Sequence, residues 1–169
     1  MTVSIRQATF YDTDNLVRLN HIWYKPNLED IENGFLSVTY GHDFFNSIIA
    51  NGDLLVFIDR ENIVGYVLVN TVQITDRIKN VRNEYFNERP ENLTKKTAFS
   101  YQILIDKILQ GTGYFYRAQT EYFDYFRKKY DILVSTVSKE NSRSISAHKK
   151  AGWTFIDTTN NYFIIEQQL

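Results

Sequence analysis

Ile105-Asp106-Lys107-Ile108-Leu109-Gln110-Gly111-Thr112-Gly113-Tyr114 is the stretch that decides the fold of this chain. Before it, Phe99, Tyr101, Ile103 and Ile105 alternate as in a strand; after it, Phe115, Tyr122, Phe126 and Tyr130 mark one face of a helix. Two glycines between a strand and a helix let the backbone turn tightly and approach a ligand with no Cβ in the way. Amide groups at the start of the following helix, aided by its dipole, form an anion site. The chemistry suits a diphosphate. The spacing fits neither the dinucleotide fingerprint nor the P-loop, because no Lys-Ser/Thr follows Gly113. A plain strand-to-helix turn is the competing reading.

Working outward, Val3 to Ala8 reads as a first strand. Asp12 is placed to cap a helix whose Leu16, Leu19 and Trp23 recur at helical spacing. Residues 24–41 read as a loop broken by Pro26, Gly34 and Gly41. Phe44, Phe45, Ile48 and Ile49 form a second helical stripe that Gly52 ends. Leu54–Ile58 and Ile63–Val69 form a hairpin around Asp59-Arg60-Glu61-Asn62. Across 71–97, Ile74, Ile78, Val81 and Tyr85 keep helical spacing, but Pro90 and the polar run after it point to a long excursion. Ile132–Val137 is a buried strand, Asn141–Ala151 a short helix stopped by Gly152, and two strands follow near Trp153–Ile156 and Tyr162–Ile165. The order predicts an α/β fold with a mixed sheet. No linker interrupts it, so residues 1–169 read as one domain.

Composition narrows the function. A chain of 169 residues, 43% hydrophobic and 23% charged, has an ordinary globular make-up. A net charge of -1 argues against nucleic acid as the main partner, since neutralising phosphates needs a basic face. Cysteine is absent, which removes disulfides, a thiolate nucleophile and thiolate-bound zinc. The first residues lack a signal-peptide core, and no stretch approaches the roughly 20 apolar residues of a membrane span. A cytoplasmic protein without membrane contact is the expectation.

A second segment gives the glycine turn its context: Asn141-Ser142-Arg143-Ser144-Ile145-Ser146-Ala147-His148-Lys149-Lys150-Ala151-Gly152-Trp153. Together the two resemble the marks of the GNAT (Gcn5-related N-acetyltransferase) superfamily. Gln110, Gly111, Thr112, Gly113 and Tyr114 match its Gln/Arg-x-x-Gly-x-Gly/Ala motif, with Ile105 as the preceding aliphatic residue. Asn141, Ser144, Lys150, Gly152 and Trp153 match its second mark. Ile5-Arg6-x-Ala8 with Asp12 resembles the family's opening. The resemblance implies a GNAT fold: a mixed central sheet of about seven strands, four or more helices on both faces, and splayed fourth and fifth strands.

It further implies an acetyl group passed directly from acetyl-CoA, the acyl-donor cosubstrate, to a primary amine of a small molecule or peptide. Ile103 and Ile105 would then meet the pantetheine arm through their main chains. The amides of Gln110 to Tyr114 would hold the pyrophosphate, with Asn141 and Ser144 further along. No metal is required, and a homodimer is left open. The alternative is a degenerate GNAT-fold protein that binds acyl-CoA without turnover; a third is an aromatic interaction module.

The chain departs from the family pattern in three ways. Where relatives usually carry a tyrosine that protonates the departing thiolate, this chain has His148; its reference pKa of about 6.5 suits an imidazolium acid. The other reading is a ring packed on Trp153 or capping a helix. Phe115 stands where Gly or Ala is usual and is equally readable as core. Thr97 to Ile105 lacks the carboxylate base of many relatives, leaving water, Tyr101 or a loop acid. Glu29, Asp30 and Glu32 can attract an ammonium or merely be solvated, and Arg77, Lys79 and Arg82 read as the wet face of a helix.

Overall fold

The computed structural model describes residues 3–32, 34–71, 76–99 and 101–169, apart from the side chain of Arg77. In chain order the elements are β1 (Val3–Gln7), α1 (Thr13–Ile22), α2 (His42–Ala50), β2 (Leu54–Asp59), β3 (Asn62–Val69) and α3 (Asp76–Glu88). There follow β4 (Thr97–Phe99), β5 (Tyr101–Ile105), α4 (Tyr114–Phe126), β6 (Ile132–Ser138), α5 (Ser142–Lys150), β7 (Thr154–Thr158) and β8 (Tyr162–Gln168).

The strands form two four-stranded sheets, β1-β2-β3-β5 and β4-β6-β8-β7. The first is antiparallel throughout; in the second, β4 runs parallel to β6 and the other pairs are antiparallel. Eight strands therefore replace the expected seven. The segment read as one alternating strand divides: Thr97–Phe99 joins β6, and Tyr101–Ile105 joins β3.

Buried runs in β2 and β3 reflect helices on both faces. Leu55, Phe57, Val67 and Val69 meet the α4 residues Tyr114, Ala118, Tyr122 and Phe126. Leu54, Val56, Tyr66 and Leu68 meet α1 and α2. Leu16, Leu19 and Ile48 are fully buried there, each worth roughly 1.5–3 kcal/mol of transfer free energy. Val81 and Tyr85 of α3 cover Ile132, Val134 and Ile164 of the second sheet. The α4 cluster also takes in Leu133, Val137 and Ile165, so it joins the two sheets.

Several local expectations change. The buried stripe of α4 runs through Tyr114, Ala118, Tyr122 and Phe126, one residue earlier than Phe115. Asp12 makes no cap bond to α1; its carboxylate accepts the Arg6 fork at 2.8 Å and the Thr9 amide at 2.7 Å. The Arg6 bond, more than burial opposes it, draws the Asp12 pKa below its ordinary value. The 71–97 excursion contains α3 and a 3-10 turn over Pro90–Thr94, while Ile74 lies outside the described residues. Lys79 and Arg82 are exposed on α3 as expected. No described helix is long and apolar enough to cross a membrane.

Gly65 sets how closely β3 and β5 approach. A Cβ there would stand 2.5 Å from the Leu104 carbonyl oxygen and 2.8 Å from Phe57. Because the first obstacle is backbone, β5 itself must move. Gly65→Ala is expected to cost about 1–3 kcal/mol, a fall in Tm of several degrees by thermal denaturation.

Candidate functional site

The site begins where the two sheets part. Phe99 still pairs with Val134 of β6, but from Tyr101 onward the chain pairs with β3 on its other side. The Ser135 hydroxyl bridges the opening, donating to the Tyr101 carbonyl at 2.6 Å. Along an antiparallel strand, main-chain groups face alternate sides. The Asp106 amide donates to Val64 of β3, so Tyr101, Ile103 and Ile105 turn their main chains the other way. Ile103 and Ile105 thus border the gap with their backbone groups, as the strand period predicts.

Beyond Ile105 the chain makes a 3-10 turn, Lys107–Leu109, capped by the Asp106 carboxylate accepting from Ile108. Asp106 is thereby spent on the turn. Leu109 is buried and anchors the segment. Gly111 and Gly113 both adopt left-handed backbone, with φ of 75° and 72°. A Cβ on either would meet nothing within 4 Å, so conformation requires glycine here and the space in front is open. The Thr112 hydroxyl donates to Leu109 and accepts the Tyr114 amide, fixing the first turn of α4. The remaining first-turn amides have no intrahelical acceptor and point, with the positive end of the dipole, out of the helix.

The facing wall is α5. Asn141 caps it by accepting the Ser144 amide at 3.0 Å, and its own amide group donates to the Phe35 carbonyl at 2.9 Å. The second bond ties the 34–36 loop to the helix start. One turn later, His148 is 5% exposed and holds its Nδ1 2.8 Å from the Ser144 carbonyl oxygen. A carbonyl only accepts, so Nδ1 carries the proton. The rings of Tyr101, Phe115 and Trp153 surround the imidazole at 6.4, 6.1 and 5.2 Å between centroids. Burial in this cage lowers the His148 pKa to about 4, only partly countered by the Ser144 bond. The ring is therefore neutral near pH 7, which corrects the expectation of an imidazolium acid.

Two clefts meet at these residues. The larger, about 680 Å³, runs from Ile103 and Ile105 past Gln110, Gly111, Gly113 and Tyr114 to Asn141, Ser144 and His148. Arg143 and Lys150 of α5 bring positive charge to it. The smaller, about 190 Å³, lies on the other side of the splay, among Ser37, Tyr40, Asn70, Gln102 and Thr136. Phe35, Leu36, Ile103, Asn141, Ser144 and His148 line both. Thr112 works through its hydroxyl bonds instead of lining either.

Other expected groups stand elsewhere. The Tyr101 hydroxyl points into the core and donates to Tyr122 at 3.0 Å, and burial pushes its pKa well up, so it is no base. Glu29, Asp30 and Glu32 line neither cleft, and Asp30 accepts the Glu32 amide. Phe115 faces the larger cleft against His148 and is not core.

No protein-family model and no curated protein matches this sequence. Solved structures do match its fold. A putative acetyltransferase from Salmonella typhimurium, solved with acetyl-CoA, aligns over 100% of this chain and 95% of its own at 16% identity and a TM-score of 0.66. A GNAT-family acetyltransferase from Streptococcus pneumoniae covers 99% of each at 17% identity and a TM-score of 0.64. An Arabidopsis thaliana protein bound to a bisubstrate analogue joining CoA through an acetyl group to a peptide covers 100% of each, at 13% identity and a TM-score of 0.67. The chain has the GNAT fold.

Within the GNAT fold, the sequence missed the 34–36 loop, Gln102, Ser135 and Arg143. The adjacent apolar pair Phe35-Leu36 within the 24–41 loop was the available signal for the first.

The neutral His148 has a measurable cost in acid. Its pKa is below the unfolded value of about 6.5, so the unfolded chain binds the proton first and stability falls as pH drops from about 6.5 to about 4. Between pH 7 and pH 5 the loss is about 2 kcal/mol. His148→Phe is expected to remove most of that slope in urea titrations at the two pH values.

Proposed function

We propose that this chain is an N-acetyltransferase of the GNAT family, taking acetyl from acetyl-CoA and giving it to a primary amine. The observation that carries the reading is the sheet opened between β5 and β6, with a glycine turn and the start of α4 at one end. Open space before Gly111 and Gly113, and the positive charge of Arg143 and Lys150 along the cleft, fit a diphosphate. The backbone groups of Ile103 and Ile105 fit an extended arm with alternating donors and acceptors.

In this reading the amides of Gly111, Gly113 and Phe115 hold the diphosphate, while those of Gln110, Thr112 and Tyr114 donate within the turn and shape it, and Arg143 and Lys150 add attraction. Asn141 and Ser144 shape the far wall while the first keeps the 34–36 loop closed over it. Bound there, acetyl-CoA supplies an activated thioester carbonyl. The amine comes from the smaller cleft, and its nitrogen attacks the carbonyl carbon as the carbon–sulfur bond breaks. His148 serves as a relay: Nε2 takes the proton shed by the nitrogen and returns it to the departing sulfur. The ring starts and ends neutral, in keeping with its aromatic cage. Positioning of the two reactants accounts for most of the acceleration.

Two measurements test this. In calorimetry with acetyl-CoA, Arg143→Glu with Lys150→Glu is expected to weaken binding tenfold or more, with a smaller deficit at high salt; unchanged affinity removes the diphosphate assignment. In thiol-release assays, His148→Phe is expected to lose 10²-fold or more in kcat with KM for acetyl-CoA nearly unchanged. Binding that is intact in a protein releasing no thiol with any amine favours the acyl-CoA-binding alternative.

A further inference from the structure

Carboxylates are missing from both clefts. The described residues include all 20 Asp and Glu side chains of the chain, and none lines the larger cleft or the smaller one. The buried acids are engaged elsewhere. Asp53 accepts from Lys129, Tyr130 and Thr71, and Glu166 accepts from Tyr85 with Arg89 at 3.6 Å. Glu140, adjacent to Asn141, pairs with Lys25 outside both clefts. On the acceptor side the titratable groups are Tyr40, Tyr101 and His148. The Tyr101 hydroxyl is consumed by Tyr122, and His148 holds its Nδ1 proton on Ser144.

A cleft without a carboxylate offers an ammonium no counter-charge, and desolvation alone penalises it. Nor does it offer a carboxylate to strip the proton before attack. The nucleophile must therefore enter with its lone pair free. At pH 7 an α-amine, with a pKa near 7.7–8.0, is neutral in roughly a tenth of molecules; a lysine-type amine, near 10.4, in roughly one in 2,500. The difference is about 300-fold in reactive concentration, part of which the stronger nucleophile returns. A polyamine would in addition bring a second cation into an acid-free cavity. The volume of about 190 Å³ favours a small side chain over a bulky scaffold.

Resting on the transferase reading above, we infer that the acceptor is the free α-amine of a peptide or amino-acid amide with a small uncharged first side chain, not a lysine ε-amine or a polyamine. Gln102 suits such a substrate. Its side-chain oxygen accepts from Tyr66 at 2.8 Å and from Asn20 at 3.4 Å, which leaves its amide group to donate toward a peptide carbonyl at the cleft floor.

The test uses the full chain, acetyl-CoA and a pentapeptide amide carrying a free α-amine, alanine first, and one internal lysine. Mass spectrometry locates the acetyl group, and spermidine and an N-formylated copy of the peptide serve as comparison acceptors. At pH 7 the α-amine is expected to react at least tenfold faster than the ε-amine and spermidine. Between pH 7 and 9 the ε-amine rate should climb about tenfold per unit while the α-amine rate levels off above about pH 8, so the ratio narrows. An ε-amine or spermidine that matches the α-amine at pH 7, or a ratio flat with pH, overturns this inference and leaves the transferase reading standing. Absence of acetyl-CoA binding by calorimetry overturns the transferase reading instead.

Discussion

Everything at the site follows from one broken ladder. On the side away from β8, β6 has a neighbour only as far as Val134, and then the chain that paired with it leaves for β3. Main-chain groups left without partners inside a protein cost as much as lost hydrogen bonds, so such an opening does not persist unless the surroundings hold it. Here the Ser135 hydroxyl meets the Tyr101 carbonyl, and the α4 cluster clamps both sheets from one side. Tyr101 belongs to both devices: its carbonyl takes Ser135, and its ring and hydroxyl pack on Trp153 and Tyr122. Past that residue the backbone of Ile103 and Ile105 is left to face the cleft.

The far wall is positioned by contacts distant in sequence. Asn141 serves one donor and one acceptor at once, starting α5 through the Ser144 amide and reaching back 106 positions to the Phe35 carbonyl. The Ser144 carbonyl in turn fixes the tautomer and tilt of His148. A side chain that only capped a helix would not need the second bond, and a loop that only connected α1 to α2 would not need to stop beside it.

Much of this was legible, for reasons that differ by element. Leu16, Leu19, Ile48 and Ile49 announced their helices because one-sided burial imprints a 3.6 period. Gly111 and Gly113 were legible because left-handed backbone tolerates little else. The division of the 97–105 strand was invisible, since Phe99, Tyr101, Ile103 and Ile105 alternate in the same way whichever neighbour they pair with. Asp12 had the spacing of a cap, but the Arg6 fork competed for its carboxylate and won. The α4 face slipped by one residue because Tyr114 and Phe115 are both aromatic, and only packing on Phe57 tells them apart. His148 was visible as a residue; its state was not, because the cage of Tyr101, Phe115 and Trp153 forms only in three dimensions.

The charge pattern across the splay joins these features. On one side Arg143, Lys150 and the start of α4 make a field that favours an anion; on the other no acid balances an incoming cation. A carboxylate at the junction would weaken the first and would also raise the pKa of the buried imidazole. Excluding acids therefore serves both sides of the splay: it preserves a field that favours an anion and keeps His148 neutral, with Nε2 free to accept. A base strong enough to deprotonate an ammonium before attack and a ring held neutral in an aromatic cage are opposed demands on the same few ångströms. This chain is built around the second; under the transferase proposal that moves the burden of deprotonation from the protein to the amine.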